Sequence, residues 1–594
     1  MKDFPEGYPR GGYMGKILRV DLSHGEILEE SVAPALLHQY IGGTGLGIRL
    51  LYDEVKPGID PYSPENRIIF ATGPLTGTLV PGSGTYAVVS KNTLTGLVGA
   101  CHSNGFFGAR LKYAGYDAVI IQGRSNKPVY LHLNDGKASI EDASGLVGKG
   151  AFATDMLLHK KHGEDGFEDR ISVACIGPAG ENMVRFACIV SDRGHVASSG
   201  GLGAIMGSKN LKAIVAHGNK GVSIDHRQKE SFWETVKLWR QEARNSAMGQ
   251  TLDKYGSIGF FSSYHSKGWV PVKNLTTNLF PGDDLFDGKY IREKVYKGTP
   301  RSCHGCTFHH CHIVEVTRGP YKGTVGEELE YECLAGFGPN LGISDPGAVT
   351  MLSSLNDDLG MDAKEISFLL SMIMEGHEKG LIQKRDLDGI DLRWGNVEAS
   401  AEILKRISRR DGFGDTLAEG VMRVAEKLGG AFPDMAVYIK RGNAPHIHDP
   451  RSRWGTLFNQ AVSNMGSQEG LDMTARGSAD LGIDGPVSEP DENLGEVNAI
   501  TTALRQLGDC LIFCYYQSCS LKTMVGTLNC LTGADYEVED ALKVGRRVVN
   551  LLRMFNRREG MTKDQDSFSP RLGQPPVDGP AKGKTLAPTF EKAR

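Results

Sequence analysis

The chain has 594 residues, with 67 Lys and Arg against 71 Asp and Glu and a hydrophobic content of 40%, the profile of a globular protein long enough for several domains. A formal charge of −4 excludes the strong basic bias of a nucleic-acid or anionic-membrane binder. Glycine is in excess, with 76 residues or about 13% against ~7% ordinarily, and no triplet repeat marks collagen, so many glycines are expected where backbone turns sharply or approaches another group closely.

Residues 1–10 hold Lys2, Asp3, Glu6 and Arg10 with no apolar run after them, so no secretory leader is expected. The uncharged stretch Ile68 to Ser90 contains Pro74, Pro81 and four glycines and will not span a bilayer as a helix. The 11 cysteines are therefore read as those of a cytoplasmic protein, free, catalytic or metal-binding rather than disulfide-paired.

Through about residue 215 the pattern is strand-like. Lys16 to Leu22 alternates and turns at Ser-His-Gly into Glu26 to Glu30; Val129 to Leu133 and Ala138 to Glu141 flank Asn134-Asp-Gly. Both read as hairpins. Arg67-Ile-Ile-Phe-Ala-Thr-Gly-Pro74 and Arg170-Ile-Ser-Val-Ala-Cys-Ile-Gly-Pro178 are alike, each a short apolar strand running into Gly-Pro, which points to internal two-fold pseudo-symmetry. Gly42-Gly-Thr-Gly-Leu-Gly47 and the string from Ser199 to Asn210 fail the spacings of the dinucleotide fingerprint and the P-loop. They read as tight turns, or as bare amides meeting the phosphates of a large cofactor.

Beyond Gly218 the period becomes helical, over Glu230 to Met248, Ala363 to Lys379, Glu398 to Arg410, Asp415 to Lys427 and Glu539 to Arg558. Ser569 to Arg594, rich in Pro, Gly and Lys, reads as an extended surface tail. The expected fold is α+β and multidomain: a β-rich N-terminal domain with pseudo-two-fold symmetry over residues 1–215, then two mostly α-helical domains over 216–420 and 421–594.

Cys303-His-Gly-Cys306-Thr-Phe-His-His-Cys311 places three thiols within nine residues, which suits one soft centre, zinc or an iron–sulfur cluster. A fourth ligand from His309, His310 or His312 would complete a zinc site. A distant cysteine, Cys510, Cys514 or Cys519, would favour a cubane cluster. Cys101, Cys175, Cys188, Cys333 and Cys530 read as buried inert thiols, with Cys333 set apart because it follows Glu332.

From Met14 to about Gly583 the chain resembles the tungsten-dependent aldehyde:ferredoxin oxidoreductase family. The resemblance is carried by Gly73-Pro-Leu-Thr-Gly77, Ser90 to Gly96, Phe107 to Asp117, Ile176 to Asn182, Gly200 to Ile214, Gly412 to Gly420 and His448-Asp-Pro-Arg451, seven strings in order. It implies a tungsten (or molybdenum) bis-pterin in the N-terminal cradle beside a [4Fe–4S] cluster. The family's Asp-x-x-Gly-x-Asp pterin motif matches Asp357-Asp-Leu-Gly360-Met361-Asp362, and its related third-domain motif matches Asp509-Cys-Leu-Ile-Phe513-Cys514. The match nominates Cys514 as fourth cluster ligand after Cys303, Cys306 and Cys311. Aspartates suit the role because a pterin edge presents N–H donors to a carboxylate. The carbonyls implied to hold a phosphate-bridging Mg2+ fall at His102 and Ala197. Glu330-Tyr331-Glu332 matches the family's Glu-Tyr-Glu string and nominates Glu332 as base toward water, provided that burial raises its pKa.

Departures from the family pattern are equally specific. The cysteines are spaced C-x2-C-x4-C where the family has three residues in the second interval, so the loop must bulge. The family's active-site histidine aligns near Ser467-Gln-Glu469-Gly and is missing, as is the following lysine that pairs with pterin. His446 or His448, of which His448 is the choice, could replace that histidine, the alternative reading of each being a satisfied structural histidine. Two arginines that pair with pterin or phosphate fall at Thr85 and Val196. The resemblance implies an enzyme interconverting aldehydes and carboxylic acids, with electrons passing to ferredoxin or a ferredoxin-like subunit in an oligomeric assembly. The alternatives are the same cofactor used for aromatic acyl-CoA dearomatisation, and a zinc-stapled scaffold without catalysis.

Overall fold

The computed structural model describes residues 6–163, 170–466, 469–470, 479–482 and 490–594. Its N-terminal region holds two six-stranded sheets. The first contains β1 (Lys16–Asp21), β2 (Glu26–Ser31), β3 (Ile68–Ala71), β4 (Tyr86–Lys91), β5 (Val98–Ser103) and β6 (Ala118–Gln122). The second contains β7 (Val129–Asn134), β8 (Lys137–Asp142), β9 (Ile171–Cys175), β10 (Ile189–Ser191), β11 (His195–Ala197) and β12 (Leu211–His217).

The strand orders are β2-β1-β6-β3-β4-β5 and β8-β7-β12-β9-β10-β11, the same topology twice. In each sheet only the hairpin strand paired to the last strand is parallel, β1 with β6 and β7 with β12. β3 and β9 occupy equivalent places, as the paired Gly-Pro strings predicted. Both predicted hairpins are present, with Lys16 opposite Ser31 and Val129 opposite Asp142. The sheets share one buried core. They also touch through polar groups: Tyr86 OH donates to Ser191 Oγ at 3.3 Å, and Ser103 Oγ lies 3.3 Å from the same atom.

The rest is mostly helical, and among the described residues no helix is long and apolar enough to cross a membrane. Three predicted helices are present as Ala363–Glu378, Val397–Arg409 and Val538–Arg558. Two others are broken. Ser246 adopts an extended conformation and accepts from Gly249 N, capping Ala247–Tyr255 after Lys229–Asn245. Gly420, at φ 89, separates Phe413–Leu417 from Val421–Leu428. A third sheet, β13 (Tyr296–Pro300), β14 (His312–Val316) and β15 (Val325–Glu327), is absent from the sequence reading. It frames the cysteine loop, because Pro300 pairs with His312 across it.

The C-terminal segment corrects the expectation of an extended tail. It forms Pro570–Gly573 and Ala587–Ala593, with Leu572, Leu586 and Phe590 buried, and Arg571 Nη2 donates to buried Glu375 Oε1 at 2.6 Å. Its Pro and Gly serve short turns between apolar anchors that overall composition hides. The helical cores interleave in sequence. Helices from Lys229 to Tyr255 share a core with those from Leu494 to Arg558 and with the first sheet, whereas Ile258 to Ala461 share one with Leu572 to Ala593.

Candidate active site and metal centre

A cavity of about 440 Å³ lies where both sheets meet the helical region. The first sheet supplies Thr85 and His102 to Asn104, the second Gly194 to Val196 and Ser198, and the helical region the remaining wall from Glu327 to Tyr516.

Two turns, each ending a helix at a residue of positive φ, deliver the motif residues. Asp357 to Asp362 closes the helix Pro346–Leu359 at left-handed Gly360, φ 78; Asp509 to Cys514 closes Leu494–Leu511 at left-handed Ile512, φ 62. That conformation costs a β-branched residue on the order of 1–3 kcal/mol. Ile512 is held in it by packing against Gly43, where a Cβ would lie 2.4 Å from Ile512 Cγ1. The turns bring Asp357, Met361 and Asp362, and likewise Asp509, Phe513 and Cys514, to the cavity wall.

Asp362 N donates to Phe186 O, Cys188 N to Gly360 O, and Lys364 N to Asp362 Oδ1. Burial raises the carboxyls of Asp357 and Asp362. Gln506 Nε2 donates to Asp509 Oδ2 at 3.0 Å. His102 lines the cavity, its Nε2 2.9 Å from Thr44 Oγ1. Ala197 is buried between the lining residues Val196 and Ser198. Thr85 and Val196 also face the cavity, so neither expected arginine position carries a cation.

Glu332, on the first turn of Tyr331–Phe337, lines the cavity together with His446. Its Oε1 is 3.2 Å from His446 Nδ1 and 3.3 Å from His448 Nε2, and Ile447 N donates to Oε2 at 2.6 Å. Burial works to raise this carboxyl, but His446 and His448 outweigh it and hold the group well below the usual range. The expected raised pKa is thus corrected: Glu332 is an ionised acceptor. His448 does not line the cavity. It stacks on Tyr331 at 4.9 Å, and burial with Arg453 pushes it down to about 4. Glu469 is buried, accepts from the backbone of Asn464 and Met465, and is raised by burial to about 7; Ser467 and Gln468 lie outside the described residues.

Cys303, Cys306, Cys311 and Cys514 all line one enclosed pocket beside the cavity. The extra residue of the x4 interval is absorbed at His309, left-handed at φ 52, the bulge that the spacing required. Burial raises the Cys306 thiol, opposed by the amides of Phe308, His309 and His310, and Gln517 Nε2 donates to its Sγ at 3.6 Å. Cys510 instead packs against Gly45, where a Cβ would meet its Sγ at 2.8 Å, and half-buried Cys519 packs against the same core. His312 Nδ1 is 2.9 Å from Glu328 Oε2, and His309 pairs with Ser302; His310 alone of the three stays beside a thiol, 3.6 Å from Cys311 Sγ. Gly84, which lines the pocket, must lack a side chain because the backbones approach closely there: a Cβ would lie 2.0 Å from Gly105 O.

The four thiols are the residues that could hold a single soft centre. Thr85, Asn104, His195, Glu330, Cys514 and Tyr516 line both this pocket and the cavity. Sequence reasoning did not single out His195, whose Nε2 is 3.6 Å from Cys303 Sγ, nor Lys364 and Arg505. The available signal for Lys364 was a cation in the first turn of a helix, where it opposes the helix dipole.

Two family models match the chain: aldehyde ferredoxin oxidoreductase, N-terminal domain, over residues 17–218, and aldehyde ferredoxin oxidoreductase, domains 2 and 3, over residues 234–594. A tungsten-containing aldehyde ferredoxin oxidoreductase of Pyrococcus furiosus is 36% identical, over 97% of this chain and 94% of its own length. The aliphatic sulfonate oxidoreductase, WOR-like subunit, of the same organism is 31% identical over 96% and 91%. Among solved structures, the active site complex BamBC of benzoyl coenzyme A reductase with 1,5-dienoyl-CoA superposes with a TM-score of 0.83 over 98% of this chain and 93% of that one; at 22% identity the likeness is one of fold.

Proposed function

The chain belongs to the aldehyde ferredoxin oxidoreductase family and is an oxidoreductase, and on that premise we propose that it converts an aldehyde and water to a carboxylic acid, or runs the reverse. The balance is RCHO + H2O → RCOOH + 2 H+ + 2 e−, both electrons passing to ferredoxin or a ferredoxin-like subunit. When bound, a tungsten (or molybdenum) bis-pterin would supply the two-electron acceptor and a [4Fe–4S] cluster the one-electron exit.

The residues fit these groups. Asp357, Asp362 and Asp509 offer carboxylates to pterin N–H edges, and the carbonyls of His102 and Ala197 are the implied Mg2+ ligands. Cys303, Cys306, Cys311 and Cys514 offer four thiols to the cluster. Glu332 and His446 face the cavity together, and Glu332, a weaker base than the sequence predicts because the histidines hold its pKa down, is placed to take the proton from attacking water.

The observation that carries this reading is the shared wall: the acid–base pair faces a cavity whose lining continues into the four-thiol pocket. Anaerobic purification with metal and pterin analysis tests it. Near four iron and one tungsten or molybdenum per chain, with aldehyde-dependent reduction of ferredoxin, is expected. One zinc without pterin overturns the reading in favour of the scaffold, and turnover of an aromatic acyl-CoA alone favours dearomatisation.

A further inference from the structure

Among the described residues, seven Asp and Glu side chains line the cavity, against two fixed cations, Lys364 and Arg505. A cofactor with two phosphate groups adds more negative charge, and Thr85 and Val196, where the resemblance implies arginines, are neutral. We propose that Lys364 and Arg505 anchor the phosphate groups of the bis-pterin in place of those arginines, an inference that rests on the proposed function.

Each cation travels with one cofactor motif. Lys364 follows Asp362 by two residues and Arg505 precedes Asp509 by one helical turn. Lys364 donates from Nζ to Ser199 Oγ, and Ser199 O accepts from Cys101 Sγ at 2.7 Å. The ammonium therefore sits near the ends of β5 and β11, at Ser199, two residues along the chain from Ala197, and close to Cys101, the neighbour of His102. Its nearest ion-pair partner is Asp362 Oδ2, at 3.7 Å. In the first turn of Ala363–Glu378 it also opposes the positive end of the helix dipole. An anion placed there converts that repulsion into attraction from both Lys364 and the helix terminus.

Arg505 reaches the same region from the other motif. Its guanidinium lies over the Tyr515 ring at 4.3 Å. Nε is 3.3 Å from Asp509 Oδ1, an atom itself 3.9 Å from His102 Nδ1. Among the described residues that Nε has this ion pair but no hydrogen bond, and the planar guanidinium fork suits a phosphate.

The test compares Lys364→Met, Arg505→Met, the double variant and Lys364→Arg as anaerobically purified enzymes, reading tungsten, pterin, iron and Tm. Losing one charge-assisted phosphate contact weakens binding roughly tenfold or more. Cofactor release should therefore quicken by about that factor in each single variant and multiplicatively in the double, while iron stays near four per chain. Lys364→Arg should retain tungsten and pterin, which separates a charge effect from a folding defect. Release from the double variant at the parent's rate overturns the inference, as does equal loss from Lys364→Arg and Lys364→Met. A parent protein without pterin overturns the proposed function instead.

Discussion

Glu332 Oε1 lies 3.2 Å from His446 Nδ1, and both side chains face the cavity. The Ile447 amide fixes the other carboxylate oxygen at 2.6 Å, so the group is aimed as well as charged. Glu332→Gln keeps the shape and the acceptor but cannot take a proton. A fall in kcat of about 10²–10⁴-fold is expected, with tungsten and iron contents unchanged; turnover at the parent's rate would remove Glu332 from the chemistry.

His446→Asn tests the electrostatics of the same pair. Burial works to raise Glu332, and His446 is the first of the groups that hold it down. Without that histidine the folded-state pKa rises, so protonation inactivates the base at higher pH. The acid limb of the kcat/KM profile should shift upward in pH, as Asn does not reproduce the imidazole's hold on the Glu332 carboxylate. A limb that stays put, or moves down, contradicts the arrangement.

Cys514→Ser and Cys510→Ser separate two thiols four residues apart. Cys514 faces the other three thiols across Gly82, where a Cβ would lie 2.7 Å from Cys514 Cβ; Cys510 is sealed in the core. The Cys514 variant should lose the cluster's iron and its paramagnetic signal when reduced. Cys510→Ser should keep near four iron per chain, with a small stability loss from placing a hydroxyl in apolar surroundings.

The N-terminal region was legible because its hairpins and repeated Gly-Pro strands are local patterns. The thiols Cys303, Cys306 and Cys311 were legible through spacing, and Glu332 and Cys514 through resemblance. His195 and Arg505 were not, because each reaches the cavity through distant packing that no local period records. The sign of the Glu332 shift was also out of reach: it depends on His446 and His448, 114 and 116 positions away in sequence. Composition misled at the C-terminus, where Leu572, Leu586 and Phe590 outweigh the surrounding Pro and Gly.

That packed C-terminus should be part of the stability of the enzyme. Phe590 is 2% exposed and meets Phe568 at 4.8 Å and Phe458 at 5.6 Å between ring centroids. Phe590→Ala should cost about 3–5 kcal/mol, seen as a lower Tm under anaerobic conditions. A change of a degree or less would return the segment to the surface.

Glu365 gives a pH-dependent stability test outside the catalytic pair. It is 1% exposed; Ala444 N donates to its Oε1, and Val421 N to its Oε2 at 3.1 Å. Burial raises its carboxyl to about 7 despite those amides. In the unfolded chain the group returns to an ordinary value near 4.3. The folded state therefore holds the proton more tightly, so this contribution to stability is fully present below about pH 4.3 and is lost as pH rises through 7. The full change is on the order of 3 kcal/mol. Glu365→Gln stays neutral at every pH, although its Nε2 cannot accept from one of the two backbone amides, which lowers its Tm by a constant amount. The Tm difference, variant minus parent, should therefore rise steadily from pH 4.5 to pH 8. A difference that stays flat or falls over that range means that the two amides outweigh burial and the carboxylate is the preferred folded form.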